Sequence, residues 1–343
     1  MAKTMKLVSS IAAVNLFFAA LASAATEDFY RGKTVRIVVG FTPGGGFDTY
    51  SRVIARHLGK HIPGNPTIVV ENMPGAGSMI AANHTYNQAK PDGLTIGNFI
   101  GPLVLQQVLG NPAAKFDGKR FGWIGDPIPS HSVCALSRQS GIATVEEWYA
   151  AKRPVKIGGT GPGSDTVDVV KLLQAATALP IQLIAGYKGT ADVRLAVETG
   201  EVDAMCTDWH SIKATWSKAL EQGTVRIVIQ EMIQSHPDLK GVPLATQYAK
   251  TDTARKFVEI AASAYGTLRP YAAPPGTPDD RLRILQAAFM KTTRDPELLA
   301  EAKQARVDFD PRDGPTVAKI MSSFYDLDAA IIAQLKRVLL TEK

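Results

Sequence analysis

Between Val35 and Ile62 the hydrophobic pattern changes period once. Val35–Phe41 is a short apolar run rich in Val and Ile, bounded by Lys33 and by Thr42-Pro43; this is how a buried parallel strand reads. After Gly44, Gly45 and Gly46 the spacing turns helical. Tyr50, Val53, Ile54, Leu58 and Ile62 share one face, and Arg52, Arg56 and Lys60 share the opposite one. The alternation continues down the chain. Thr67–Glu71 predicts a second strand, Ser78 the cap of a helix running to about Gln88, and Leu94–Asn98 a third strand after the Pro91-Asp92-Gly93 turn. Strands alternating with helices predict an α/β unit built on a parallel sheet. Ligands in such sheets bind outside the carboxyl ends of the strands. Both the Gly44–Gly46 loop and a second glycine loop, Asn72–Ser78, fall there.

Phe121–Pro129, ending in two prolines, reads as a crossover into a second series. Val133–Ser137, Val155–Gly159, Ile181–Ala185 and Val202–Cys206 are its expected strands. Thr144–Ala151, about Thr166–Ala178 and a segment ending at Thr199 are its expected helices, with Gly200 placed to terminate the last. Thr160–Asp165 repeats the opening design of strand, glycine loop and helix start. Ala272–Pro278 reads as a linker, followed by helices over Asp279–Lys291 and Pro296–Arg306 and one long helix over Pro315–Leu340. Residues after the linker are expected to fold back on the first unit. That gives two connections between the units and a hinge motion.

A strand, a glycine loop and a helix start leave backbone N–H groups unpaired where the helix dipole is positive, so the spot attracts anions. Gly46-Phe47-Asp48 lacks the lysine of a P-loop, and no third glycine completes a dinucleotide fingerprint. An anion-binding loop and a plain tight turn remain. Two such loops on two units suggest one cleft with both facing in.

Met1–Ala24 has the order of a leader: Lys3 and Lys6, an apolar Ile11–Leu21, then Ala22-Ser23-Ala24. No cysteine stands there for a lipid anchor, so a freely diffusing protein of the Gram-negative periplasm is expected. Beyond it no run of 18 apolar residues occurs, so no membrane insertion is expected. The remaining 319 residues (343 minus 24) suggest two domains. The formal charge of +6 falls to about +4 without Lys3 and Lys6. The basic residues are scattered, which suits small anionic solutes and leaves no nucleic-acid footprint. Cys134 and Cys206 either pair or are two small buried hydrophobes. His57 and His61 are four apart, but no metal-ligand motif or nucleophile elbow appears. No catalytic residue, metal or cofactor is expected.

The run Val38–Asp48 with Arg52, then Val69–Gly77, Pro91–Thr95, Tyr187-Lys188-Gly189, Gly200–Asp203 and Ala273–Pro278, resembles the solute receptors of tripartite tricarboxylate transporters, the Bug-type periplasmic binding proteins. The resemblance implies a type II periplasmic-binding-protein fold: α/β, two lobes joined by a two-segment hinge, with the ligand cleft between them. Lobe 1 would be 25–127 with 266–343 returning to it, and lobe 2 would be 128–265. It implies a carboxylate solute, the permease subunits of a membrane transporter as partners, and a monomer. Carried over residue by residue, lobe 1 offers Thr42, Gly44, Gly45, Gly46, Phe47 and Asp48, with Ala76, Gly77 and Ser78 nearby. Lobe 2 offers Thr160, Gly163, Ser164, Asp165, Thr166, Tyr187 and Thr207. The family topology makes Cys134 and Cys206 neighbours close enough to bond.

Phe47 stands where the family often has a small or hydroxyl residue, and Asp165 puts a carboxylate in a loop expected to meet an anion unless it caps its own helix. Thr207 replaces an acid, with Asp208 adjacent. Arg269-Pro270 replaces an aromatic-glycine stretch. Arg269 would offer a planar fork to a carboxylate, or be a hinge residue bonded to Asp126 or to backbone carbonyls. The other functions weighed are a periplasmic ligand sensor for a membrane kinase and an exported α/β enzyme.

Overall fold

The computed structural model describes residues 29–340; the leader expected over Met1–Ala24 lies outside them. Eleven strands form two sheets among the described residues. The first holds β1 (Thr34–Val39), β2 (Thr67–Asn72), β3 (Thr95–Asn98), β4 (Gly122–Asp126), β10 (Tyr271–Ala273) and β11 (Arg312–Asp313). Their order is β11-β4-β10-β3-β1-β2. β1 runs parallel to β2 and β3, and β10 is antiparallel to β3 and β4. The second sheet holds β5 (Ser132–Ser137), β6 (Val155–Gly159), β7 (Ile181–Ala185), β8 (Ala204–Asp208) and β9 (Val225–Gln230), in the order β7-β6-β8-β5-β9. The chain passes from one sheet to the other at 127–131 and comes back at 266–270. The protein is thus two α/β lobes on a two-segment hinge.

The opening stretch folds as its pattern predicts. β1 is followed by a helix over Gly46–Leu58 that buries Tyr50, Val53, Ile54 and Leu58 and leaves Arg52 and Arg56 exposed. Four other expectations are corrected. Half of Phe121–Pro129 is not a crossover but β4; a Cβ on Gly125 would stand 2.5 Å from the Phe289 ring, so packing explains the glycine-rich composition that hid the strand. The linker shrinks to Pro274–Pro278, because Tyr271–Ala273 is buried between β3 and β4. Alanines make a poor strand signal, and here the neighbouring strands supply the stability. The long C-terminal helix is two, Gly314–Ser323 and Ala329–Leu339, with Asp328 capping the second through Ile331 N–H at 2.8 Å. Ser78 precedes the Met79–Asn87 helix without capping it; its Oγ accepts from Ile100 N–H at 3.0 Å. β9 and a helix over Asp252–Tyr265 complete lobe 2 beyond the elements read from the sequence.

β5 is buried on both faces, so its side chains alternate between two cores. Val133 and Ala135 join Val193, Met205 and Trp216 on one side. Cys134 and Leu136 face the larger core, where Cys134 sits opposite Cys206 of β8 and is bonded to it. Glu231, just past β9, is buried beside this disulfide with its Oε1 3.1 Å from Cys134 Sγ. A disulfide sulfur has no proton to give, and Oε2 has no partner either. Burial, with the Asp165 charge adding to it, pushes this carboxyl up to about 8.

Glu231 therefore keeps its proton in the fold. The stability it contributes is full below the unfolded value of 4.5 and is lost as pH rises through about 8. Glu231→Gln should raise stability at pH 8 by about 1–3 kcal/mol and change little at pH 5. Urea midpoints at the two pH values check this; an identical pH slope in both proteins would refute it.

Candidate functional site

In lobe 1 the loop from β1 to the first helix turns at Gly44, whose φ of +80° suits glycine. Gly45 is the N-cap and has no capping side chain, so the helix start is bare backbone. Asp48 does not face out. It accepts from Gly44 N–H, Asn72 Nδ2 and Arg52 Nε, each at 2.9 Å. Burial pushes its carboxyl up, but these bonds outweigh burial and hold it below the usual range. Asp48 thus braces the loop from behind, and the Gly45-Gly46 face is presented to the opposite lobe.

In lobe 2 the loop after β6 is closed by hydroxyls. Thr160 N–H donates to Thr166 Oγ1 at 3.0 Å, and Ser164 Oγ donates to Gly161 C=O at 2.7 Å. Asp168, not Asp165, braces this loop, accepting from Gly163 N–H at 2.9 Å and Tyr265 OH at 2.7 Å. The helix begins with a wide π turn over Asp165–Val169, a feature that recurs at functional sites. Asp165 turns inward, where its Oδ2 accepts from Thr207 Oγ1 at 2.7 Å. Burial pushes this carboxyl up to about 6 against that hydrogen bond, and the charge of Asp208 adds to the rise.

The two loops meet. Thr42 Oγ1 donates to Asp192 at 3.1 Å, and the Arg194 guanidinium donates to Gly44 C=O at 3.2 Å. On the far rim Lys213 pairs with Asp308 and Arg306 with Glu221. Between the rims lies a cavity of about 10 Å³. That is room for about one water and nothing larger. Phe41, Gly45, Gly46 and Phe47 line it from lobe 1, and Leu268 from the hinge. Lobe 2 contributes Thr160, Asp165, Thr166, Thr190, Thr207 and Ser211.

Of the residues expected at the site, Gly45, Gly46, Phe47, Thr160, Asp165, Thr166 and Thr207 line this cavity. Thr42, Gly44 and Gly77 lie on the closing rim; a Cβ on Gly77 would stand 2.9 Å from Gly161 C=O. Ala76 adjoins that contact, Gly163 abuts Leu103 and Gln106 of lobe 1, and Ser78 and Ser164 are held inside their own lobe or loop. Tyr187 donates to Glu201 at 2.6 Å. Phe41, Thr190, Ser211 and Leu268 are lining residues that sequence reasoning missed. Ser211 carried a usable signal, since it stands three residues after Asp208, which caps the Trp209–Thr215 helix through Ser211 N–H at 2.9 Å.

Arg269 is fully buried, with its guanidinium stacked 4.6 Å from the Tyr50 ring. Its ion partner is Asp208 at 2.5 Å, not Asp126, and it also donates to Ser211 Oγ at 3.0 Å. Burial opposes both charges, yet their mutual attraction holds the Asp208 carboxyl well below and the Arg269 guanidinium above the usual ranges.

Two outcomes follow from this geometry. A Cβ on Gly46 would overlap Ser211 Oγ and stand 2.6 Å from its Cβ. Alanine suits a helix start better than an interior glycine does, so Gly46→Ala should keep lobe 1 folded while wedging the cleft open. Small-angle scattering should then show a larger radius of gyration than wild type; an unchanged closed form would refute the contact. Arg269→Ala leaves Asp208 buried and unpaired, which costs about 3–5 kcal/mol. Urea unfolding measures this, and a loss under about 1 kcal/mol would mean the pair is not closed as described.

The fold and its site can be set beside known proteins. The family described as "Tripartite tricarboxylate transporter family receptor" matches residues 51–336. A UPF0065 protein of Bordetella pertussis is 28% identical over 301 residues, 86% of each chain. Among solved structures, the periplasmic binding protein BugD superposes with a TM-score of 0.74 at 20% identity, covering 92% of this chain and all of that one. MatC of Rhodopseudomonas palustris, solved with bound malate, gives 0.68 at 20% identity, covering 86% of this chain and 98% of that one. These structures share the two-lobe fold, and the extent of the family match shows that this chain belongs to the tripartite tricarboxylate transporter receptor family.

Proposed function

We propose that the protein is a periplasmic receptor that closes its lobes on a small organic acid and delivers it to a tripartite tricarboxylate-type permease. It works as a monomer, without turnover and without a cofactor. The observation that carries this reading is the bare Gly45-Gly46 start of a 13-residue helix facing a hydroxyl-lined loop of the other lobe. Helix dipole and unpaired amides favour a carboxylate there. The hydroxyls of Thr160, Thr166, Thr190 and Ser211 orient the rest of the solute. Membership of the receptor family and the malate bound to MatC agree with that chemistry.

The lobes in this reading are 25–127 with 266–343, and 128–265, turning about the two crossings. The leader read over Met1–Ala24 supplies the export. A thermal-shift screen of mono-, di- and tricarboxylates tests the proposal. An acid present at 100 times its dissociation constant should stabilise the protein by about 2.7 kcal/mol. If no carboxylate shifts the transition, the reading fails.

A further inference from the structure

Among the described residues, one charged side chain lines the cavity, and it is itself a carboxylate. Asp165 is 4% exposed and lies at the cavity wall formed by lobe 2. It accepts the proton of Thr207 Oγ1 at 2.7 Å, which leaves that hydroxyl only acceptor capacity toward a solute. The buried cation nearby, Arg269, does not line the cavity and is paired with Asp208 at 2.5 Å. The cavity therefore has a donor end and an acceptor end between largely apolar walls. Lobe 1 brings the backbone donors of Gly45-Gly46 beside two aromatic rings, and lobe 2 brings the Asp165 acceptor among hydroxyls. The Phe41 and Phe47 rings, 4.7 Å apart, line the same space and keep water from screening either end.

A plain carboxylate fits the donor end and is repelled by the acceptor end, and it gives Asp165 no donor beyond the one Thr207 already supplies. A buried carboxylate with acceptor capacity beyond its Thr207 bond favours a solute that brings it a donor, and such polar sites reject analogues lacking that group. We propose that Asp165 selects solutes carrying a hydrogen-bond donor, a hydroxyl or an ammonium, on the carbon chain that bears the carboxylate, and that it discriminates against plain acids of the same length. This rests on the receptor reading above and narrows its substrate class. An ammonium would gain further from the carboxylate charge and from the two ring faces.

Calorimetry at pH 8, where a carboxyl with a value of about 6 is ionised, tests this with succinate, malate and aspartate and with glutarate, 2-hydroxyglutarate and glutamate. Wild type should bind at least one donor-bearing acid of a matched set about tenfold or more tighter than the plain acid. Preference for the amino acid assigns the donor as ammonium, and preference for the hydroxy acid assigns it as hydroxyl. Asp165→Asn removes the charge and adds an N–H, so it should shrink that gap and strengthen the plain acid. Equal binding of plain and donor-bearing acids by wild type overturns the selection and leaves the receptor reading standing. Binding of none of the six in calorimetry, together with a blank thermal-shift screen, removes both. The wild-type comparison decides the matter even if the variant does not fold.

Discussion

Asp208 is the carboxylate on which the two crossings converge. Its Oδ1 accepts from Ser130 Oγ at 2.8 Å and His131 N–H at 2.9 Å, both on the first crossing. Its Oδ2 accepts from Arg269 on the second crossing and from Ser211 N–H at 2.9 Å at the start of a lobe 2 helix. Arg269 in turn stacks on Tyr50 of the lobe 1 helix. Two charges with no exposure to water would be costly alone; here they pair with each other, Asp208 takes hydrogen bonds on both oxygens, and Arg269 donates through Nη2 while its Nε and Nη1 make none. The hinge therefore has a fixed centre, and the same carboxylate places Ser211 against Gly46 at the cavity.

Around that centre the lobes meet largely through small groups, with the buried Gln106 of lobe 1 donating to Asp168 of lobe 2 as well. The lobes touch where side chains are absent: Gly45 against Thr190, Gly46 against Ser211, Gly77 against Gly161, and Gly189 against Thr42. Backbone can approach backbone only where no Cβ intervenes. The ion pairs on the rim are partly solvated, so each adds little. The bracing acids fit the same division of labour. Asp48 and Asp168 satisfy loop amides from behind, and Asp165, one turn before Asp168, is left to face the cavity.

Much of the fold was legible because period and punctuation are local. Val35–Leu58 shows a strand, a glycine loop and an amphipathic helix through spacing alone, and the structure follows it within a few residues. Most of the elements missed lack a local signature, whereas β9 and the helix over Asp252–Tyr265 had one and were still left out. β4 is rich in glycine because Phe289 packs on it, and β10 is three residues whose pairing comes from strands far away in the chain. The break in the C-terminal helix depended on Asp328 choosing to cap, a choice that a single aspartate in a helical pattern does not announce.

At the site, the sequence by itself determined the residues that come from contiguous motifs: Gly45, Gly46 and Phe47 on one lobe, and Thr160, Asp165 and Thr166 on the other. Their chemistry is carried by backbone and by neighbours a few positions away. Only the tertiary structure decided which way each carboxylate points. Asp48 and Asp168 turn back to loop amides, Asp165 turns to Thr207, and Arg269 finds Asp208 from 61 residues away. The physical reason is that a buried charge takes the partner that the packed chain brings within reach, and sequence spacing does not encode that reach.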